Sequence, residues 1–339
     1  MNEITKDTKT YHRFSVAPMM EWTDRHCRHF HRLLTKESLL YTEMVVAQAI
    51  MKGDVKKLLG YNQSEHPVCQ QIGGSEPELL AQAAKVVEEF GYDEINLNVG
   101  CPSKRVRSGS FGACLMYEPE LVGDCLQAMR EAVKIPVTIK HRIAVDSQDP
   151  YEILFPFVEY IASRGTDVFV VHARKAILAG LTPKENRDIP PLNYEIVREL
   201  KAAFPHLTIV LNGGLNTIEQ SKREMGNLDG VMLGRAAYKY PHILGEVDKE
   251  FFGKDYIISA EDAYQQFRPY VEEQLSKKVP LHAMTKHLLG LFNGYKGARV
   301  FRRMLGEDAN KKGAGLEIYD DAFAHIIEGG FNKTNLVEA

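Results

Sequence analysis

The sequence predicts a (β/α)8 barrel, or TIM barrel, followed by a small C-terminal helical bundle. Short apolar runs rich in valine and isoleucine alternate with longer stretches of helical spacing over roughly the first 240 residues. Eight such runs occur, and eight is the strand number of this barrel. A doubly wound sheet is the alternative, but it usually has fewer strands and an early glycine-rich turn, and the sequence contains no Gly-x-Gly-x-x-Gly.

The predicted strands are short apolar runs without strict alternation, which is typical of parallel strands buried on both faces. They span residues 14–19, 39–47, 67–73, 94–99, 137–140, 168–172, 209–212 and 230–233. Helices of 3.6-residue periodicity are predicted between most of them. These helices span residues 24–35, 77–90, 118–133, 150–164, 193–203 and 216–224.

The alternation stops near residues 251–260, and the remainder has helical patterns only. A capping box at Ser259-Ala260-Glu261-Asp262 predicts a helix over 259–278. Further helices are predicted over 282–292, 298–305 and 316–327, separated by turns that contain glycine. We therefore expect two domains, a barrel over residues 1–250 and a helical domain over 251–339.

Composition excludes several classes of protein. Of 339 residues, 44% are hydrophobic and 26% charged, which excludes disordered, collagen-like and coiled-coil chains. No apolar run approaches the ~20 residues of a membrane span, and the first residues have no apolar signal segment, so we expect a cytoplasmic protein. Five cysteines without a CxxC pair favour reduced thiols over disulfides or a metal site. The default expectation for assembly is a monomer.

The net charge of −3 does not exclude nucleic acid, because a local basic face is enough to bind it. Residues 277–312 hold nine Lys/Arg against two acids. Lys104, Arg105 and Arg107 form a smaller basic run. The charge pattern therefore allows a nucleic-acid partner.

Nearly every predicted strand ends in a polar or otherwise unusual residue. Because the carboxyl ends of the strands form the active-site mouth of such barrels, we expect these side chains to converge there. They are Pro18, Met19, Glu43, Gln70, Asn96, Asn98, Cys101, Lys140, His172, Asn212, Gly213, Gly214, Gly234 and Arg235.

Three groups at the strand ends point to chemistry. The glycines after the last two strands favour phosphate binding, since the corresponding loops of barrels commonly hold phosphate. Lys140 could reach solvent, hold an anion or electron-rich ring, or form a Schiff base, and His172 could be a core histidine or a ligand. Cys101 precedes a Gly/Ser-rich loop, where a thiol can act as a general acid or nucleophile.

The motifs at these strand ends resemble those of the tRNA-dihydrouridine synthases. The resemblance rests on residues 16–19, 96–102, 137–140, 171–174, 211–214 and 231–235, and residues 17–28 and 294–299 are similar to the A subgroup. It covers nearly the whole chain, with the motifs in family order at matching strand ends.

The resemblance implies an FMN barrel that uses NADPH to reduce the C5–C6 bond of tRNA uridines. In the A subgroup these are the D-loop uridines at positions 20 and 20a. It implies that FMN is held by Pro18, Met19, Met20, Gln70, Lys140, His172, Asn212, Gly213, Gly214, Gly234 and Arg235. It further implies that Asn98 bonds the uracil, that Cys101 donates the proton, and that tRNA contacts Lys184, Arg187, Arg299 and Arg302. Tyr295 and Phe301, interleaved with basic residues, also suit RNA contact.

Three other functions fit part of the pattern. An FMN barrel that acts on a small dihydropyrimidine shares the phosphate site, the lysine and the cysteine, but does not need the basic helical domain. A Schiff-base aldolase would use Lys140 and be colourless. A barrel that binds RNA without catalysis would hold no flavin, and its RNA affinity would not depend on Cys101.

Overall fold

The computed structural model describes residues 8–103 and 109–330. Within them, eight parallel strands close into a barrel in the order β1-β2-β4-β5-β6-β7-β8-β9, with β9 pairing back to β1, so the predicted fold class is confirmed. A short extra strand, β3, pairs with the end of β4. The strands are β1 Phe14–Val16, β2 Leu39–Tyr41, β3 Val45–Val46, β4 Val68–Gly73, β5 Glu94–Val99, β6 Val137–Arg142, β7 Val168–His172, β8 Thr208–Asn212 and β9 Gly230–Leu233.

The barrel interior is filled by every second residue of each strand, because successive side chains of a strand point to opposite faces. One interior cluster is apolar and consists of Ala17, Leu39, Tyr41, Cys69, Val170, Val210 and Met232. On β5 the same inward face carries Glu94, Asn96 and Asn98, of which the first two are fully buried. The interior therefore combines an apolar layer with a row of polar side chains.

The helices around the barrel begin at residues that favour helix starts. Proline occupies the first position of three of them, where its missing N–H costs no hydrogen bond. Asn193 and Thr217 cap two others through their side-chain oxygens. The helices are α1 Thr8–Tyr11, α3 Ala47–Lys52, α4 Val55–Leu59, α5 Pro77–Phe90, α6 Pro119–Ala132, α7 Pro150–Ser163, α8 Tyr194–Ala203 and α9 Ile218–Met225.

A second compact unit consists of residues 22–37 and the chain from residue 235 onward. It contains helices throughout, as the sequence predicts for this part of the chain. They are α2 Arg25–Leu34, α10 Arg235–Lys239, α11 Val247–Phe252, α12 Ala260–Ser276, α13 Leu281–Thr285, α14 Ala298–Gly306 and α15 Leu316–Glu328.

Helix α2 is fixed to the second unit at its C-terminal end. The buried carboxylate of Asp248 accepts hydrogen bonds from Thr35 Oγ1 (2.5 Å), the Lys36 amide (2.6 Å) and the Tyr256 hydroxyl (2.9 Å). Phe30 of α2 packs edge-on against Phe267 of α12 at a centroid distance of 5.2 Å. The first helix that follows a barrel strand in the chain thus contributes to the helical unit.

Three features differ from the sequence prediction. The last division of the chain between the compact units falls between residues 234 and 235 and not at 250, and the assignment of FMN and tRNA binding to separate domains stays a prediction. The predicted strand over 39–47 is two strands, with residues 42–44 between them. The predicted helix over 282–292 ends at Thr285, and the chain continues as turns. No helix among the residues described is long and apolar enough to cross a membrane.

Candidate active site

Side chains from four adjacent strands meet at the carboxyl end of the barrel. Asn98 of β5 is paired with Lys140 of β6, and His172 of β7 is paired with Asn212 of β8. Because β6 and β7 are also neighbours, these four residues form one continuous arc. The structure therefore brings together the predicted residues of these four strands.

Lys140 is held as a donor inside this arc. Its Nζ donates to Asn212 Oδ1 at 2.9 Å, and Asn212 Nδ2 in turn donates to the carbonyl of Met232 at 2.8 Å. Burial and the charge of Arg142 lower the pKa of Lys140 to about 7, while Cys101 acts in the opposite direction. The amine can therefore change its charge near neutral pH when a ligand approaches.

His172 lies against Gly213, and any larger residue at position 213 would displace the His172 ring. Gly213 has φ +114°, and a Cβ at this residue would lie 2.5 Å from Cδ2 of His172. Tyr194 fixes the same turn by donating its hydroxyl to the Gly213 carbonyl at 2.7 Å. Burial, followed by the charges of Arg142 and Lys140, lowers the pKa of His172 well below its usual value. The imidazole is therefore neutral at physiological pH.

Cys101 is half-buried in the loop after β5, and its backbone is fixed on both sides. Its amide donates to Asn98 Oδ1 at 3.0 Å, as does that of Gly100 at 3.2 Å, and its carbonyl accepts from the Ala113 amide at 2.9 Å. The side chain of Asn98 thus fixes the backbone at Gly100 and Cys101. The predicted basic run at 104–107 lies outside the residues that the structure describes.

Arg142 is a buried guanidinium that was not among the predicted site residues, because the predicted strand ended at Lys140. It donates to the carbonyls of Gly100 (3.2 Å), Lys175 (3.2 Å) and Asn186 (3.1 Å). It therefore ties the Cys101 loop to the long loop after β7. Its alternation with Lys140 on β6 is the signal that could have identified it.

Gln70 and Gln71 occupy opposite faces of β4. Gln70, the residue predicted to bind FMN, is buried and donates through Nε2 to the carbonyls of Gln71 (2.8 Å) and Glu43 (3.4 Å). Gln71 lies on the interior face and bonds to Asn96 and Asn98. The structure thus brings Gln71, and not Gln70, to the arc at the mouth, because side chains alternate along the strand.

The end of β1 adds a less polar wall to the mouth. Pro18 and Met19 are half-buried, and Met20 has an exposed fraction of 59%. A Cβ on Gly234, after β9, would meet only Ala17 at 3.7 Å and Met19 at 3.8 Å.

The remaining members of the predicted cofactor set lie at the last two strand ends. Gly214 has φ +68°, so both glycines of the Asn212-Gly213-Gly214 turn adopt positive φ. Arg235 is the first residue of α10 and belongs to the second unit.

The predicted tRNA contacts fall on two separate segments. Lys184 is exposed and Arg187 is half-buried on the loop after β7. The neighbouring Asn186 side chain accepts from the Ile177 amide and donates to the Ile177 carbonyl. Arg299 and Arg302 are exposed on α14 of the second unit, and Arg302 donates to Asn293 at 2.7 Å.

Phe301 does not face solvent as RNA contact requires. It is fully buried and packs against Phe292 at 5.1 Å and Tyr264 at 5.5 Å, because α14 is amphipathic. Tyr295 is half-buried against Phe292 at 5.5 Å. The prediction that Phe301 contacts RNA was therefore wrong.

A closed parallel barrel with ionisable side chains gathered at the carboxyl ends of its strands has the architecture of a barrel enzyme. The family described as dihydrouridine synthase (Dus) matches residues 15–327. The chain belongs to this family. Its members are oxidoreductases, since dihydrouridine is uridine with a reduced C5–C6 bond.

Relatives from several bacteria are similar over nearly the whole chain. A protein of Yersinia pestis is 53% identical over 324 residues, covering 95% of this chain and 94% of the relative. One of Vibrio parahaemolyticus is 54% identical over 318 residues, covering 93% and 97%. One of Escherichia coli K12 is 53% identical over 320 residues, covering 93% and 92%. All three are named tRNA-dihydrouridine(20/20a) synthase.

A solved structure shares the fold at low sequence identity. The old yellow enzyme homologue from Zymomonas mobilis is similar at a TM-score of 0.50 and 13% identity, covering 74% of this chain and 92% of that one. The barrel architecture is therefore found well beyond the family.

Proposed function

We propose that this protein reduces uridines 20 and 20a in the D-loop of tRNA to dihydrouridine, with FMN as cofactor and NADPH as reductant. The family and the names of the relatives support the reaction and the substrate. The observation that carries the chemistry is Cys101 at the mouth, whose backbone amide bonds the Asn98 side chain and whose charge acts on the pKa of Lys140.

The residues at the mouth fit FMN. Lys140 supplies a donor whose charge adapts near neutral pH, and His172 supplies a neutral imidazole. The turn at Gly213 and Gly214 and the small residue Gly234 suit a phosphate approached by backbone N–H groups. Pro18, Met19 and Met20 offer an apolar wall for an aromatic ring. In this proposal Asn212 and Arg235 complete the set, and Gln71 takes the place predicted for Gln70.

Cys101 and Asn98 divide the work on the uracil. When bound, reduced FMN supplies the hydride that C6 of the base accepts. The thiol of Cys101 acts as the general acid and gives its proton to C5. The Asn98 amide donates to the base carbonyl, on which negative charge develops.

The target uridine is stacked in folded tRNA, so it has to leave the stack to reach the mouth. Basic side chains outside the mouth would hold the flanking backbone, because phosphate contacts position a nucleic acid without reading its sequence. In this proposal Lys184 and Arg187 act on the barrel, and Arg299 and Arg302 act on α14. Their exposed or half-buried positions support this role.

The cofactor part of the proposal is tested by a visible spectrum before and after anaerobic NADPH. We expect a yellow protein that bleaches on addition of NADPH. A colourless protein that does not take up added FMN would contradict the proposed flavin cofactor. It would favour the alternative in which Lys140 forms a Schiff base.

The substrate part is tested on unmodified tRNA transcripts. A transcript with uridine at positions 20 and 20a should gain two hydrogen atoms per modified base by mass spectrometry. A matched transcript with cytidine at both positions should gain none. Reduction of free uridine or uracil as fast as tRNA would instead favour the small dihydropyrimidine as substrate.

The tRNA surface is tested by charge reversal on α14. Arg299→Glu should raise the KM for tRNA about tenfold, because one phosphate contact becomes a repulsion, while flavin reduction by NADPH is unchanged. Lys85→Glu is the matched control, since Lys85 is exposed on α5 of the barrel unit. Equal KM values for the two variants would remove α14 from the tRNA surface.

A further inference from the structure

A continuous chain of hydrogen-bonded side chains crosses the barrel interior from the start of β5 to the Cys101 loop. Thr138 donates to Glu94 Oε1 (2.7 Å), and Asn96 Nδ2 donates to Thr138 Oγ1 (2.9 Å). Gln71 Nε2 donates to Asn96 Oδ1 (2.9 Å), and Asn98 Nδ2 donates to Gln71 Oε1 (2.8 Å). Glu94, Asn96 and Thr138 are fully buried, and Gln71 is 1% exposed.

Every bond in this chain points in the same direction, towards Glu94. At the mouth the chain ends on the amides of Gly100 and Cys101, which can only donate, and both donate to Asn98 Oδ1. At the other end it stops at a carboxylate, which accepts when ionised. The two ends therefore dictate how the amide groups of Asn98, Gln71 and Asn96 are turned.

The carboxylate end is surrounded by donors. Besides Thr138, the hydroxyl of Tyr41 donates to Glu94 Oε1 at 3.1 Å, and His12 Nε2 lies 2.8 Å from Oε2 without the alignment of a hydrogen bond. Burial, and then the charge of Glu94, raise the pKa of Tyr41 well above its usual value, so the phenol keeps its proton. Burial and Glu94 do the same to the pKa of the nearby Cys69 thiol.

The direction of the chain decides what Asn98 presents. Oδ1 is occupied by the loop amides and one Nδ2 hydrogen by Gln71. Among residues 8–103 and 109–330 the second Nδ2 hydrogen has no partner, so it can serve an acceptor at the mouth. A reversed amide would set an NH2 group against two N–H donors and turn an oxygen towards a substrate carbonyl. Both changes would oppose the reaction.

We propose that Glu94, Thr138 and Asn96 are positioning residues that act through Gln71 and this hydrogen-bond chain to orient Asn98 and to seat the backbone at Gly100 and Cys101. The inference rests on the proposed function for the roles of Asn98 and Cys101. The competing explanation is a network that only satisfies buried polar groups. In that case the loss of kcat follows the loss of stability and does not depend on the direction of the hydrogen bonds.

The first test removes one link with little change of shape. Thr138→Val should lower kcat about tenfold with KM for tRNA changed less than about twofold, because a buried amide left unsatisfied no longer specifies the orientation of Asn98. Thr166→Val is the matched control, since Thr166 is 1% exposed and its hydroxyl has no partner among the residues described. Thr138→Ser keeps the hydroxyl and should restore kcat. Equal kcat in the two valine variants would overturn the proposal.

The second test uses direction itself. Asn96→Asp keeps an acceptor towards Gln71 and should keep kcat within about twofold, whereas Asn96→Leu removes the acceptor and should lower kcat about tenfold. A network that only satisfies buried groups predicts that the aspartate harms at least as much, because it places a second carboxyl close to Glu94. That outcome would contradict the proposal.

A third readout needs neither tRNA nor NADPH. Iodoacetamide should alkylate Cys101 several-fold faster in Thr138→Val than in Thr166→Val, because the loop is released, with the modified cysteine identified by peptide mass spectrometry. Equal rates would overturn the proposal even if tRNA reduction were normal. If the wild type reduced no tRNA at all, the proposed function would fail, and the alkylation rates would still test the chain.

Discussion

The interiors of the two compact units are built on opposite principles. The helical unit has an aromatic core in which Tyr264 and Tyr319 stack at 4.2 Å and each donates its hydroxyl to the other's carbonyl, at 2.8 and 2.7 Å. Phe292 and Phe301 pack around Tyr264. The barrel interior instead buries the polar chain that runs from Glu94 to Asn98.

The difference lies in where the polar groups of each interior end. Each tyrosine hydroxyl donates its hydrogen bond to the other tyrosine, so neither hydroxyl needs a donor partner elsewhere in the unit. Each amide in the barrel is satisfied by the next one, and the last one faces the loop of Cys101. Burying polar groups without partners is costly, so an incomplete chain would destabilise the barrel. The aromatic core therefore provides stability, and the polar interior provides orientation.

The largest expected effect is a loss of turnover on replacing Cys101, which lies at the mouth end of the polar interior. Cys101→Ala should lower turnover by roughly 10²–10⁴-fold, the usual contribution of a general acid, with FMN and tRNA binding and the free energy of unfolding almost unchanged. Cys114→Ala is the matched control, because Cys114 is also half-buried and donates to the Phe111 carbonyl at 3.1 Å. Single-turnover kinetics with pre-reduced enzyme measure both. Near-normal turnover of the alanine variant would remove Cys101 as the proton donor.

The next effect is on the aromatic core and should be the reverse. Phe301→Ala should lower the free energy of unfolding by about 3–5 kcal/mol, since it empties a fully buried aromatic site. Arg303→Ala, on the exposed side of the same helix, loses only an ion pair with Asp308 and should cost about 0–1 kcal/mol. Urea unfolding followed by circular dichroism measures both. If the two variants unfolded at the same urea concentration, this core would not provide the stability assigned to it.

A smaller effect is expected when a glycine of positive φ is replaced. Comparing two such glycines distinguishes the cost of backbone strain from the cost of displacing His172. Gly213→Ala and Gly180→Ala both place an alanine at positive φ, which costs about 1–2 kcal/mol. Only the first also drives a Cβ against His172, since nothing lies within 4 Å of a Cβ on Gly180. We expect both variants to lose stability and only Gly213→Ala to lose FMN affinity, as measured by fluorescence titration. Equal affinity in both would separate His172 from the cofactor.

The smallest expected effect is the uptake of a proton by Lys140 when FMN binds. With its pKa lowered to about 7, Lys140 is mostly neutral at pH 8, and an electron-rich ring beside Nζ would favour the ammonium. FMN binding should therefore take up as much as one proton at pH 8, and less at pH 6, where the amine is already charged. Calorimetry in two buffers of different ionisation enthalpy measures this uptake. Lys140→Met should abolish it and Lys184→Met should not; uptake that survives in Lys140→Met would assign the proton to another group.

Local patterns predicted most of the elements. The bounds of β5, β7, β9 and α5 were predicted as observed, because each apolar run ends at a turn or begins at a proline. The arc of Asn98, Lys140, His172 and Asn212 was also predicted, because barrel strands all end on one side.

What the sequence could not supply depends on pairing between distant segments. Gln70 and Gln71 are adjacent and chemically identical, and only the register of β4 decides which one faces inward. Phe301 lies among arginines, and only the packing of α14 shows that it is buried. The attachment of α2 to the second unit depends on Asp248, far away in the chain.

That attachment has a consequence for the order in which the chain can fold during synthesis. Helix α2 leaves the ribosome early, but Asp248 and Phe267, to which it is fixed, follow only after residues 38–234 have been made. The helical unit is therefore assembled last, from one early segment and one late segment. A chain cut at residue 250 would leave Phe30 of α2 without its aromatic partner, so the barrel cannot be separated from the helical unit by a single cut in the gene.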